Sequence, residues 1–135
     1  AIMALLIACG QVEQGVHDAL ERRGRQDEAE PLVASLHAAT AHAAAAFYSL
    51  AHAELSSRHS LLPPPRVDAA EALRQVERRL AGIDHLPSLS VTVKLPEGFS
   101  LHTVYPEQYV VTAGQWLADH AGQQAQGAIV VGIRS

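Results

Sequence analysis

A chain of 135 residues, 48% hydrophobic and 18% charged, is long enough to bury a core and too apolar to be disordered. A formal net charge of −4 and an aromatic content of 4% argue against nonspecific nucleic-acid binding, which needs a basic footprint and stacking platforms. The single cysteine, Cys9, excludes an internal disulfide framework and fits a reducing compartment, and no apolar run approaches the length of a bilayer span.

Residues 2–23 read as a helix whose apolar stripe is Ile2, Leu5, Leu6, Cys9, Val12, Val16 and Leu20. Leu6-Ile7-Ala8-Cys9 also looks like a bacterial lipobox, with Cys9 as the acylated residue. Residues 1–8 carry no basic n-region, however, and the apolar spacing continues past Cys9 as in a core-facing helix. A cytoplasmic protein is therefore expected, with a lipoprotein anchored at Cys9 as the minor alternative. Gly24, just after Arg22 and Arg23, marks a helix stop, and residues 25–30 are a polar link.

Residues 31–58 predict the longest helix. Pro31 suits a first turn, where its missing N–H costs nothing. Residues 37–55 are rich in alanine, the best helix former, and the four alanines at 43–46 would let a neighbouring backbone come close. Leu61-Leu62-Pro63-Pro64-Pro65 then predicts a stiff extended connector, since each proline fixes φ and disfavours helix before it. Residues 67–82 predict a third helix. Asp68 is its N-cap, with Glu71 placed for a capping-box pair and Gly82 as the stop. Ala69, Leu73, Val76 and Leu80 give the apolar face; Glu71, Arg74, Gln75, Arg78 and Arg79 give the solvated one.

The character changes near Pro87. Leu89, Val91 and Val93 alternate with Ser90, Thr92 and Lys94, which predicts a half-buried strand. Pro96-Glu97-Gly98 marks a turn, and residues 101–105 a second short strand. Pro106 opens a helix to about His120, with Tyr109, Ala113, Trp116 and Leu117 expected to face inward. Residues 122–127 form a Gln/Gly loop. Residues 128–133 are a continuous, β-branched apolar run, the pattern of a strand buried on both faces. The predicted fold class is thus α+β leading into α/β: a three-helix region over 1–85, then the start of a truncated α/β domain over 86–135. The chain begins at Ala1 rather than Met. It ends just beyond a strand, where open α/β sheets bind their ligands. A piece of a larger protein is the expectation.

Few residues offer chemistry. His37, His42, His52 and His59 sit on or next to the Ala-rich helix, but their five- and seven-residue spacings are wider than zinc sites usually use, and they read as surface or partly buried histidines rather than zinc ligands. His52 and Glu54 fall on different helix faces and form no dyad. No G-x-S-x-G elbow, P-loop or G-x-G-x-x-G occurs, and Cys9 lies in an apolar helix where a thiol is inert. Glu97 and Glu107 are the nearest approach to a carboxylate pair and read as a turn acid and a helix-start acid. No catalytic residue and no metal ligand is assigned.

Two segments stand apart: residues 91–109, containing V-K-L-P-E-G-F and Y-P-E-Q-Y, and the terminal I-V-V-G-I-R-S. Together they resemble the entry region of an uncharacterised bacterial family related to phosphoribosyltransferases. The resemblance covers roughly residues 88–135. Gln14, Gly15 and Asp18, in L-I-A-C-G-Q-V-E-Q-G-V-H-D-A, resemble the same family's helical front. It implies that Gly132, Arg134 and Ser135 open a pyrophosphate-binding loop. There Gly132 would permit close approach, Arg134 would supply a fork-shaped cation and Ser135 a hydroxyl. Lys94 and Tyr105 would line the same cleft. The implied function is binding of a phosphorylated ribose ligand and displacement at its anomeric carbon, with Mg²⁺ supporting the departing pyrophosphate in the complete protein. This chain lacks the paired-acidic loop of such enzymes and would be incomplete by itself. Its expected partner is the remainder of the same protein, or a second chain, pairing with strand 129–133, whose open edge is otherwise an aggregation hazard. Nucleic acid and membrane are not expected partners. The second reading is a non-catalytic helical interaction or assembly module, in which the Ala-rich helix and the Pro63–Pro65 connector pack against a partner chain.

Overall fold

In a computed structural model, the structure describes residues 1–24, 31–58, 62–83, 89–94 and 106–120. Four helices form there: α1 (Ile2–Glu21), α2 (Pro31–Arg58), α3 (Ala69–Ala81) and α4 (Pro106–Asp119). Local chemistry sets their ends. α1 stops where Gly24 takes a φ of 66° and its N–H reaches the Glu21 carbonyl at 2.8 Å, a left-handed turn that glycine adopts without penalty. α3 starts at Asp68, whose Oδ1 accepts from the N–H groups of Ala70 (2.9 Å) and Glu71 (3.2 Å). The capping box is only half realised. The Glu71 carboxylate does not turn back to the cap; it accepts from Arg74 Nε at 2.9 Å and Gln75 Nε2 at 2.7 Å.

The core sits on both sides of α2, and its residues fix the topology. Val16 and Leu20, late in α1, pack with Val33 and Leu36, early in α2. Leu5, Leu6 and Cys9, early in α1, pack near Ala39 and Ala43, further along α2. α1 and α2 are therefore antiparallel. Val76 of α3 joins Ala39 and Ala43, and Ile83 just beyond α3 reaches the Val16–Leu36 cluster, so α3 runs back along α2 as well. The result is an up-down-up bundle with α2 at its centre. Ala39, Ala43 and Ala46 are fully buried, and their small side chains let both neighbours approach. On α3 the buried residues are Ala72 and Val76, while Leu73 and Leu80 lie at the rim with 37% and 41% exposure.

The expected α+β architecture leading into an α/β unit is overturned. Of the described residues, 78% are helical and none lies in a strand. The alternation at 89–94 is real, but it serves a different purpose. Leu89 and Val91 pack against the Val16–Leu36 cluster, Ser90 and Thr92 face outward, and among the described residues no strand pairs with the segment. A period of two reports that a segment lies flat on an apolar surface, and here that surface is a pair of helices. Val93 is 57% exposed. The other two expected strands, 101–105 and 128–133, lie outside the described residues.

α4 forms as expected but faces the other way. Tyr109, Ala113, Trp116 and Leu117, expected to point inward, are exposed. The helix instead sits down on Gly114, where a Cβ would lie 2.5 Å from Leu62 Cδ2 of the connector. Among the described residues no helix is long and apolar enough to cross a membrane.

Candidate functional site

The 89–94 segment crosses α1 at Gly15. A Cβ there would lie 2.7 Å from Val91 Cγ1 and 2.8 Å from the Thr92 carbonyl oxygen, so the crossing requires a residue without a side chain. One turn further on, Lys94 Nζ lies 3.3 Å from Asp18 Oδ2, and Gln14 Nε2 donates to Asp18 Oδ1 at 2.8 Å. Of the helical front, Asp18 meets Lys94, for which the resemblance implied a cleft-lining place, while Gln14 holds Asp18 and Gly15 lies under Val91 and Thr92. Lys94 is largely exposed and Asp18 largely buried, so the pair behaves as a clasp over a screened surface rather than as a buried charge relay.

The same face of α1 carries a second polar group. Glu13 Oε1 accepts from His37 Nδ1 of α2 at 2.9 Å, and His17 Nε2 lies 4.0 Å from the same oxygen. A carboxylate only accepts, so this contact needs the His37 proton on Nδ1. Sequence reasoning paired none of these residues. The i, i+4 spacing of Glu13 and His17 was a signal, but His37 enters only through the antiparallel register of α1 and α2.

Cys9, one turn before Glu13, packs toward the Ala39–Ala43–Val76 cluster. Partial burial, and secondarily the Glu13 charge, push its thiol above the ordinary range. It stays protonated at neutral pH, as expected for an inert structural cysteine. His52 shares a hydrogen bond with Ser56 Oγ at 3.0 Å and meets the Tyr48 ring edge-on at 5.4 Å. His59 lies outside the described residues. Among the described residues no group of three or more His, Cys, Asp or Glu is placed to hold a metal ion.

Two apolar features complete the surface. α2 and the proline connector enclose a shallow cleft of about 360 Å³ lined by Ala45, Tyr48, Pro65 and Val67. Its walls are tied together because the Tyr48 hydroxyl donates to the Pro63 carbonyl and Ser49 Oγ donates to the Val67 carbonyl. The connector is thus pinned to its own helix. On α4, Tyr109 is 67% exposed, Leu117 52% and Trp116 41%, with His120 stacked on Trp116 at 4.5 Å.

The implied phosphate loop, Gly132, Arg134 and Ser135, and the second cleft residue, Tyr105, lie outside the described residues, as does the segment 129–133 expected to pair with a partner. No protein-family model, curated protein or solved structure matches this chain. No relative therefore supports the phosphoribosyltransferase resemblance. The designation as a transferase is corrected on the same grounds: the described residues form a helical assembly, and nothing in their geometry or in any relative supports transfer chemistry. What the described fold defines is a class, a helical bundle with a docked fourth helix.

Proposed function

We propose that this chain is a non-catalytic helical interaction module, in which the three-helix bundle is the support and α4 the presenting element. One observation carries the reading. α4 is held to the body through Gly114 and Leu62, yet its bulkiest side chains, Tyr109, Trp116 and Leu117, point away from that contact. Exposed aromatics on a face poor in charge are the composition of an interface core rather than of ordinary surface. The lone cysteine fits a reducing compartment and favours the cytoplasm as the place where the module works. The Ala-rich stripe of α2 is not the docking surface, since Ala39, Ala43 and Ala46 are consumed inside the bundle.

A stability measurement tests this directly. Residues that present themselves to a partner contribute little to the fold that carries them. Trp116→Ser and Leu117→Ser should each shift the unfolding free energy by no more than about 0.5 kcal/mol. A loss of about 2–5 kcal/mol, the size expected on truncating a core side chain, would overturn the reading, because the α4 stripe would then belong to the protein's own core.

A further inference from the structure

We propose that the 89–94 segment is a releasable strap, and that its seat on α1 and α2 accepts extended partner segments with two apolar residues two apart and a basic residue three positions beyond the second. This face is separate from α4, and the proposal does not rest on the interaction-module reading. The seat has three parts, each belonging to the helices rather than to the strap. Its floor is Val16 and Leu20 of α1 with Val33 and Leu36 of α2, all buried and packed on one another. Its notch is Gly15, where a Cβ would strike Val91 Cγ1 at 2.7 Å and the Thr92 carbonyl oxygen at 2.8 Å. Its anionic end is Asp18. Gln14 Nε2, on the same helix, donates to Asp18 Oδ1 at 2.8 Å, so the carboxylate is oriented from its own helix, and Lys94 Nζ lies 3.3 Å from the other oxygen.

The strap holds this seat loosely. Leu89 and Val91 are only partly buried, and Ser90, Thr92, Val93 and Lys94 are exposed. Among the described residues no backbone hydrogen bond joins the segment to a helix. A segment with few buried apolar contacts and no hydrogen-bonded backbone partner opens before the body that carries it. The helices beneath are held independently of it. α1 and α2 meet through the Val16–Leu36 cluster at one end, and through Leu5, Leu6 and Cys9 near Ala39 and Ala43 at the other, so they stay paired when the strap lifts. The open seat then presents an apolar strip, a notch and a carboxylate. An extended chain sends every second side chain to one side, and Leu89 and Val91 use that spacing. A partner segment of the same pattern fits the same three points. In the intact chain it must displace the strap, which its tether to α3 keeps at an effective concentration on the order of 1 mM or more.

Fluorescence anisotropy with a labelled synthetic peptide of residues 88–95, titrated with the whole protein, tests the acceptor surface. The double variant Leu89→Ser/Val91→Ser releases the strap and leaves the seat unchanged. The peptide should bind this variant with a Kd of about 0.1–1 mM, and the parent at least about tenfold more weakly because the strap competes. Adding Gly15→Leu, which fills the notch with a good helix former, should abolish binding to the released variant. Circular dichroism should show the parent's helical signal in both variants. Loss of that signal in the double variant overturns the proposal, because 89–94 would then be part of the bundle's own core rather than a strap. So does a released variant that leaves the peptide unbound at about 1 mM, equal binding to parent and released variant, or binding that survives Gly15→Leu. None of these results bears on α4, whose reading stands or falls on the stability of the Trp116 and Leu117 variants.

Discussion

Gly15 shows how a residue without a side chain can carry more of a fold than its neighbours. In a helix interior glycine costs about 1 kcal/mol relative to alanine. α1 contains two, Gly10 and Gly15, and they differ only in what stands over them. Nothing lies within 4 Å of a Cβ at position 10, whereas at position 15 the Val91 side chain and the Thr92 carbonyl lie inside van der Waals contact. Backbone cannot swing aside as the tip of a long side chain can. Gly10→Ala should therefore stabilise the protein by up to about 1 kcal/mol through helix propensity and a less flexible unfolded chain. Gly15→Ala gains the same propensity and should still lose about 1–3 kcal/mol, because the 89–94 segment must lift from α1. Urea unfolding of the two variants side by side separates these terms. If both moved the midpoint the same way, the crossing at Gly15 would not be as close as described. Lys94 adds little to this contact, since an exposed ammonium beside a carboxylate is worth at most about 1 kcal/mol.

The helices differ in how they announce themselves. α3 is the clearest case. Asp68 satisfies two orphan N–H groups, and Asp68→Ala should cost about 1 kcal/mol in unfolding free energy; a variant as stable as the parent would mean that water or Glu71 replaces the cap. Pro31, Gly24, Asp68 and Gly82 are local signals, acting within one turn of themselves, and for that reason the bounds of α1, α2 and α3 were legible in the sequence. Orientation is not a local property. On α3 the charged side chains Arg74, Arg78 and Arg79 leave only one face that can be buried, so Val76 was read correctly as inward. On α4 both sides offer apolar side chains: Val111 and Ala118 stand across the helix from Tyr109, Trp116 and Leu117, and Glu107 on the body-facing side does not keep that side from being covered. Side-chain size pointed to the aromatic face, but the close fit of Leu62 at Gly114 decided for the other. The 89–94 segment failed for a related reason. Alternation shows that one side of a chain is buried, but only a partner strand makes it a sheet, and no partner is encoded within six residues. At the clasp, Gln14, Gly15, Asp18 and Lys94 were each singled out in the sequence, yet no spacing along the chain shows that they meet.

α2 holds these parts together, and its alanines explain how. Ala39 and Ala43 touch α1 residues on one side and Val76 of α3 on the other. One helix surface is thus shared by two interfaces, and a change there is felt by both. Ala43→Leu makes the case testable. Leucine is nearly as good a helix former as alanine, so intrinsic propensity barely changes. At position 43, with no exposed surface, the three added carbons have no void to enter. They must push α1 or α3 away, a cost of about 1–3 kcal/mol, or more if neither can move. The same substitution at Ala41, exposed on the same helix, should change stability by less than about 0.5 kcal/mol. Denaturant unfolding followed by far-UV circular dichroism gives both values. A second feature of the same curves bears on the architecture. If α1 and α3 are coupled through shared alanines, Ala43→Leu lowers the midpoint of one cooperative transition. If α1 and α3 instead packed on α2 independently, the variant would split the transition in two, one interface surviving while the other opens. Equal effects at positions 41 and 43 would contradict the burial of Ala43, and with it the placing of α2 at the centre of the bundle.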